Sequence, residues 1–163
     1  LGAKPEFMPS LKADQYYQNP VSGGLGWGLP TALGMQLADR ERLVVATVGD
    51  GSYMFSNPVA CHQIAEAHQL PILTIVFNNG IWGAVRGSTL GVYPKGHAAR
   101  ANVMPITSLE PMPDFCKVAE ASRAWTARVE GVETLAATLA EAAQVIREER
   151  RQALVEVRVA PHS

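Results

Sequence analysis

Two nearly unbroken apolar runs stand out along the chain, at residues 43–48 and 72–77. Strands covered on both faces of a parallel sheet read this way. Between them, a helix is expected from Pro58, capped by Ser56 or Asn57, with Ala60, Cys61, Ile64 and Ala65 facing inward and Pro71 ending it. Upstream, Pro30 suits the first position of a helix whose inward residues are Ala32, Leu33, Met35 and Leu37, reaching about Ala38 before the charged turn at 39–42. Downstream, a helix is expected over 113–122 with Phe115, Val118 and Ala119 inward. A short strand follows at 125–129, then a helix over 132–149 with the stripe Leu135, Ala136, Leu139, Ala143 and Ile146. The last strand, 154–159, alternates Val155, Val157 and Val159 with Glu156 and Arg158, so one of its faces should meet water. Residues 87–112 carry Gly and Pro breaks and little period, which reads as a long functional loop. Residues 1–22 read as an irregular lead-in.

Strands alternating with helices predict an α/β fold, a doubly wound and mostly parallel sheet with helices on both faces, in a single domain over 1–163. The length of 163 residues and a hydrophobic fraction of 47% suit one globular domain with a real core. A net charge of −1 removes any electrostatic reason to expect nucleic acid or an anionic membrane as partner. No apolar run approaches the roughly 18 residues of a membrane span, and the start does not resemble a signal peptide. Cys61 and Cys116 form no CxxC pair, so no disulfide framework is expected, and the cytoplasm is the expected compartment. The chain opens on Leu1 rather than Met, as a processed chain or a C-terminal piece of a longer one would.

Ligands of such sheets bind beyond the carboxyl ends of the strands. The two central apolar runs end there in Gly49-Asp50-Gly51-Ser52 and Asn78-Asn79-Gly80. A carboxylate and a carboxamide at one sheet edge offer hard oxygen ligands for Mg²⁺ or Ca²⁺, and Mg²⁺ prefers a few protein oxygens shared with phosphates. Gly51, Gly80 and Gly83 would turn backbone N–H groups toward a phosphate. Either segment alone is a common turn former; together, each ending a strand, they point to a metal–diphosphate site. The glycines at 23–28 precede the strand and do not form GxGxxG, which argues against a dinucleotide fingerprint. His62 and His68 are expected at or near the surface, and His97 is a candidate substrate contact in the long loop. Cys61 and Cys116 read as small apolar fillers, 148–151 as a solvated charge run, and Trp27 and Trp125 as core or interface residues.

The two segments resemble the cofactor signature of the thiamine-diphosphate enzymes, in particular the acetolactate synthase-like and benzoylformate decarboxylase-like groups, and the likeness covers residues 23–159. The segments stand slightly farther apart than in that pattern, which leaves the helix register near 57–61 open. The resemblance implies the C-terminal thiamine-diphosphate-binding domain of an enzyme that decarboxylates or ligates 2-oxo acids. It implies Mg²⁺ ligation by Asp50, the Asn79 side chain and the Ile81 carbonyl. Gly51 and Ser52, with the amides near Trp82 and Gly83, would contact the diphosphate. Leu25 would be the apolar wedge between the two thiamine rings, and the Gly23 carbonyl would accept a hydrogen bond from the aminopyrimidine. Trp82 and Val85 would line the substrate pocket. The activating Glu of such enzymes lies on a pyrimidine-binding domain, usually of a neighbouring subunit, so no catalytic residue is assigned to this chain. An isolated chain is then expected to be inactive and to form homo-oligomers, with Leu25, Trp27 and Leu29 as a candidate contact patch. The alternatives are a non-catalytic cofactor-binding or regulatory subunit of the same fold, and an unrelated phosphate-binding α/β domain.

Overall fold

Each apolar run becomes a strand of one parallel sheet. A computed structural model of the chain describes residues 12, 15–17, 24–101, 104 and 107–160. The strands β1 (Val45–Gly49), β2 (Leu73–Asn78), β3 (Trp125–Val129) and β4 (Ala153–Arg158) pair in the order β1-β2-β4-β3. The helices are α1 (Gly28–Ala38), α2 (Asp50–Phe55), α3 (Pro58–Ala67), α4 (Gly83–Val92), α5 (His97–Arg100), α6 (Phe115–Glu120) and α7 (Val132–Glu149). Successive strand residues point to opposite faces, and both faces are covered. Val76 and Leu154 pack with Leu29, Leu33 and Phe115 on one side, while Leu73, Val155 and Val157 pack with Ala142 and Ile146 of α7 on the other. This is the doubly wound arrangement expected from the element order. None of the helices among the described residues is long and apolar enough to cross a membrane.

The departures from expectation have local causes. α1 begins at Gly28, two positions ahead of Pro30; a proline is tolerated there because first-turn N–H groups have no intrahelical acceptor. Met35 and Leu37 are exposed, and Gln36 is buried in their place, its amide donating to the Asp39 and Arg40 carbonyls. α2 was not anticipated and starts directly at the end of β1. The supposed loop at 87–112 includes most of α4 and all of α5. Gly87 and Gly91 lower the helix propensity of α4 by about 1 kcal/mol each without forbidding it. In α7 the buried stripe is Ala142, Val145 and Ile146, whereas Ala136 is exposed.

Two further corrections concern polar residues. β4 does not present a face to water: it lies between β2 and β3, and Glu156 is 2% exposed. In α3 it is His62, not Ile64, that turns inward; His62 is 1% exposed and Ile64 is exposed. The imidazole is paired on both sides, Nε2 at 2.8 Å from the Tyr53 hydroxyl and Nδ1 at 2.8 Å from Gln152 Oε1. The Gln152 Nε2 donates to the His62 and Ser122 carbonyls, which fixes its Oε1 as the acceptor. His62 Nδ1 therefore carries the proton and Nε2 accepts from Tyr53.

Burial pushes the His62 pKa below its usual 6.5, with the Gln152 hydrogen bond partly opposing. As the pH falls below 6.5, the unfolded chain takes up a proton that the folded chain refuses, so stability falls until the folded-state pKa is reached. We expect the unfolding free energy from urea titrations to drop between about pH 7 and pH 5, by at most about 1.4 kcal/mol per pH unit. His62→Gln should flatten that slope, and an unaltered slope in the variant would reject the assignment.

Candidate functional site

β1 and β2 are adjacent and in parallel register, with Gly49 opposite Phe77. Both strands therefore end at the same level, and their polar extensions meet. Asp50 is the first residue of α2 and is 4% exposed. Its Oδ2 accepts the N–H of Asn79 at 3.0 Å and of Gly80 at 2.8 Å, and its Oδ1 accepts the N–H of Gly51 at 2.8 Å. The loop then folds on itself. Asn79 Oδ1 accepts the Ile81 N–H at 3.1 Å, and the Ile81 carbonyl accepts the Gly83 N–H at 2.8 Å. Gly80 turns the chain with φ +73°, a conformation open to glycine. Behind the loop, Trp82 N–H donates to the Thr107 carbonyl, Leu109 N–H to the Gly80 carbonyl, and Ile81 bridges Ser108.

The donor set suits a divalent cation held jointly with phosphate. A carboxylate has about four lone-pair sites, and the N–H groups of Gly51, Asn79 and Gly80 occupy three of them. Asn79 Oδ1 and the Ile81 carbonyl each accept one N–H and keep one lone pair. Asp50, Asn79 and Ile81 thus each retain one site, leaving the rest of a roughly six-coordinate shell for phosphate oxygens and water. Among the described residues no cationic side chain pairs with Asp50. A buried charge without such a counterion is the situation that a metal relieves.

The remaining sequence-derived residues fall around this centre. Ser52 Oγ accepts the Gly26 N–H at 3.2 Å, tying the turn that carries Leu25 to α2. Leu25 is 46% exposed beside it. Gly23 lies outside the described residues. The N–H of Gly51 does not point freely to a ligand, since Asp50 holds it; instead the Trp82 ring covers the glycine. A Cβ at position 51 would lie 2.5 Å from Trp82 Cε3. Trp82 also meets Phe55 edge-on at a centroid distance of 5.3 Å. Val85 is exposed. A cavity of about 270 Å³ opens behind the loop, lined by Ile81, Arg86, Leu90, Met104 and Thr107 among others, and not by Val85 or His97. His68 and His97 are exposed, and Leu29, expected in an exposed patch, is buried in the core. Sequence reasoning missed Phe55, Thr107 and Glu156. Only Glu156 carried a signal, as a charge in an otherwise apolar strand.

A family model described as the thiamine pyrophosphate enzyme C-terminal TPP binding domain matches residues 4–157. Benzoylformate decarboxylase of Pseudomonas aeruginosa is 40% identical over 70 residues, covering 43% of this chain and 13% of that protein. The acetolactate synthase isozyme 3 large subunit of Escherichia coli is 28% identical over 144 residues, covering 88% of this chain and 24% of that protein. The solved structure of a thiamine diphosphate-dependent 4-hydroxybenzoylformate decarboxylase from Rhodococcus jostii RHA1 aligns with a TM-score of 0.70 and 29% identity, over 88% of this chain and 24% of that one. The chain thus spans a quarter or less of the length of these relatives.

The Trp82–Gly51 contact generates a test by contrast. Gly51→Ala must displace the indole ring, and should cost about 1–3 kcal/mol in urea unfolding and change the near-ultraviolet dichroism of Trp82. Gly34→Ala, in α1 with open space at the Cβ position, should instead stabilise by up to about 1 kcal/mol. Equal effects of the two substitutions would remove the ring contact as an explanation.

Proposed function

The chain belongs to the thiamine pyrophosphate enzyme family, as its C-terminal TPP-binding domain, and on that premise we propose that Asp50, the Asn79 side chain and the Ile81 carbonyl hold Mg²⁺ against the diphosphate of thiamine diphosphate. The observation that supports this reading most is the buried Asp50 carboxylate, which joins two strand ends through backbone N–H groups and has no cationic partner among the described residues. Ser52 and the backbone of Trp82 and Gly83 border the place where the diphosphate would lie. Leu25, held on its turn by the Gly26–Ser52 hydrogen bond, offers an apolar side chain to the space between the cofactor rings. The Gly23 carbonyl would accept from the aminopyrimidine.

When bound, thiamine diphosphate supplies a nucleophilic carbanion and an electron sink for loss of CO₂ from a 2-oxo acid. This chain's residues anchor and orient it, and they fix the position of the metal. The carboxylate that activates the pyrimidine comes, on this reading, from a separate pyrimidine-binding domain or subunit, so the chain has no catalytic residue of its own and is inactive alone. The whole enzyme is then a 2-oxo-acid decarboxylase or carboligase of the acetolactate synthase-like or benzoylformate decarboxylase-like kind, assembled as a homo-oligomer. Two free cysteines, Cys61 and Cys116, accord with a reducing cytoplasm.

Thermal unfolding with Mg²⁺ tests the site. A ligand at about 100 times its Kd adds about 2.7 kcal/mol to the folded state, which raises Tm by roughly 5–10 °C in a domain of this size. The shift should require thiamine diphosphate and Mg²⁺ together and should vanish in Asp50→Asn, which keeps a hydrogen-bond acceptor but removes the charge. An equal shift with a nucleoside diphosphate, or one that survives Asp50→Asn, would overturn the proposal.

A further inference from the structure

We propose that Glu156 is a positioning residue for the metal-binding loop, acting through Asn78 on the backbone of Gly80. Glu156 sits in the middle of the sheet, opposite Val76 of β2 and Arg128 of β3. Its Oε1 accepts from Asn78 Nδ2 at 2.6 Å, and its Oε2 accepts from Arg128 Nε at 3.0 Å. Asn78 is fully buried, and its Oδ1 accepts the Gly80 N–H at 3.1 Å. That same N–H also donates to Asp50 Oδ2 at 2.8 Å. A continuous hydrogen-bonded path therefore runs from the edge strand β3 to Gly80, the residue between Asn79 and Ile81.

The direction of the Asn78 amide is the point of control. A carboxylate only accepts, so Glu156 compels Asn78 to present its NH₂ group inward and its oxygen to Gly80. With the amide reversed, an NH₂ group would face the Gly80 N–H and two oxygens would face each other across β2 and β4. The loop would then lose the second acceptor that holds Gly80 in place. Arg128 completes the arrangement: its Nη2 donates to Asp114 Oδ1 at 3.2 Å, and Asp114 caps α6 through the Lys117 N–H at 3.1 Å. Stability alone is a weak account of this group, because the half-exposed Arg128 offsets little of what burying the Glu156 carboxylate costs. Fixing the register of a loop is a role that an apolar pair cannot take.

Amide hydrogen exchange on the 163-residue chain provides the test. In Glu156→Ala, the Gly80 amide should exchange about tenfold faster, relative to Val129 and Val145 as reporters of global opening. Glu156→Gln keeps only one oxygen, for which the Arg128 guanidinium competes, and its NH₂ group no longer dictates the direction of the Asn78 amide, so Gly80 should exchange about threefold faster, between the wild type and Glu156→Ala. Should Glu156→Ala fail to fold, Arg128→Met on the half-exposed edge should still speed Gly80 exchange about threefold. Unchanged Gly80 exchange, or acceleration equal to that of the reporters, would overturn the inference. A second arm rests on the Asp50–Asn79–Ile81 site. With thiamine diphosphate present, Mn²⁺ should bind about tenfold more weakly to Glu156→Ala, the scale of loss seen when groups that orient metal ligands are removed, and about threefold more weakly to Glu156→Gln. If the wild-type chain takes up no Mn²⁺, the site reading falls, while Gly80 exchange still decides the positioning role.

Discussion

The buried carboxylate of Asp50 holds the site end of this domain together. It stands one residue beyond β1, beside the end of β2, and it accepts backbone N–H groups from both extensions. Those bonds supply an acceptor for an orphan amide in the first turn of α2 and close the gap between neighbouring strand ends. Other features presuppose that closure. Gly80 adopts positive φ so that its N–H can reach Asp50, and Gly51 lacks a side chain so that the Trp82 ring can lie across it. The carboxylate is thus structural toward its own backbone and available toward a cation. A lone-pair site remains on it, because each oxygen can accept more than one partner.

Beneath that edge, the layer of α1, α3 and α6 covers a sheet face that is not wholly apolar. Asn78, Glu156 and the buried Thr74 lie among Val76 and Leu154 on the alternate positions of β2 and β4. Such groups are tolerated when they are hydrogen-bonded. The Tyr53–His62–Gln152 chain and the Asn78–Glu156–Arg128 chain meet that requirement, and each joins elements far apart in sequence. Connected buried polar groups of this kind favour one arrangement over near alternatives. A site built where two strand ends meet benefits from such rigidity, because side chains locked by packing and hydrogen bonds keep its geometry fixed.

The short strand at 125–129 and the long helix at 132–149 emerged with the boundaries expected from their periodicity. Each is delimited by local chemistry, Gly131 between them and a charged helix end after them. The polar residues at 49–52 and 78–80 were legible as strand ends for a similar reason, since an apolar run that stops at Asp-Gly or Asn-Asn-Gly marks a strand end by composition alone. α4 was missed because Gly87 and Gly91 weaken its helical pattern without forbidding it, and the helix buries no stripe that would mark it in the sequence. His62 was misplaced because its polarity is matched by Tyr53 and Gln152, 9 and 90 residues away, and no short window of sequence contains both.

The sequence by itself determined the four strands, the helices α1, α3, α6 and α7, the parallel α/β class and the polar residues that stand at the strand ends, because these follow from side-chain period and turn chemistry within a few residues. Only the tertiary structure decided that β4 lies inside the sheet, that Glu156 is therefore buried, and that Asp50 reaches the backbone of Asn79 and Gly80. Strand order is a matter of which edges pair across long stretches of chain. The alternation in β4 reports two different faces without saying what covers either one, and that is settled only when helices and neighbouring strands close over it.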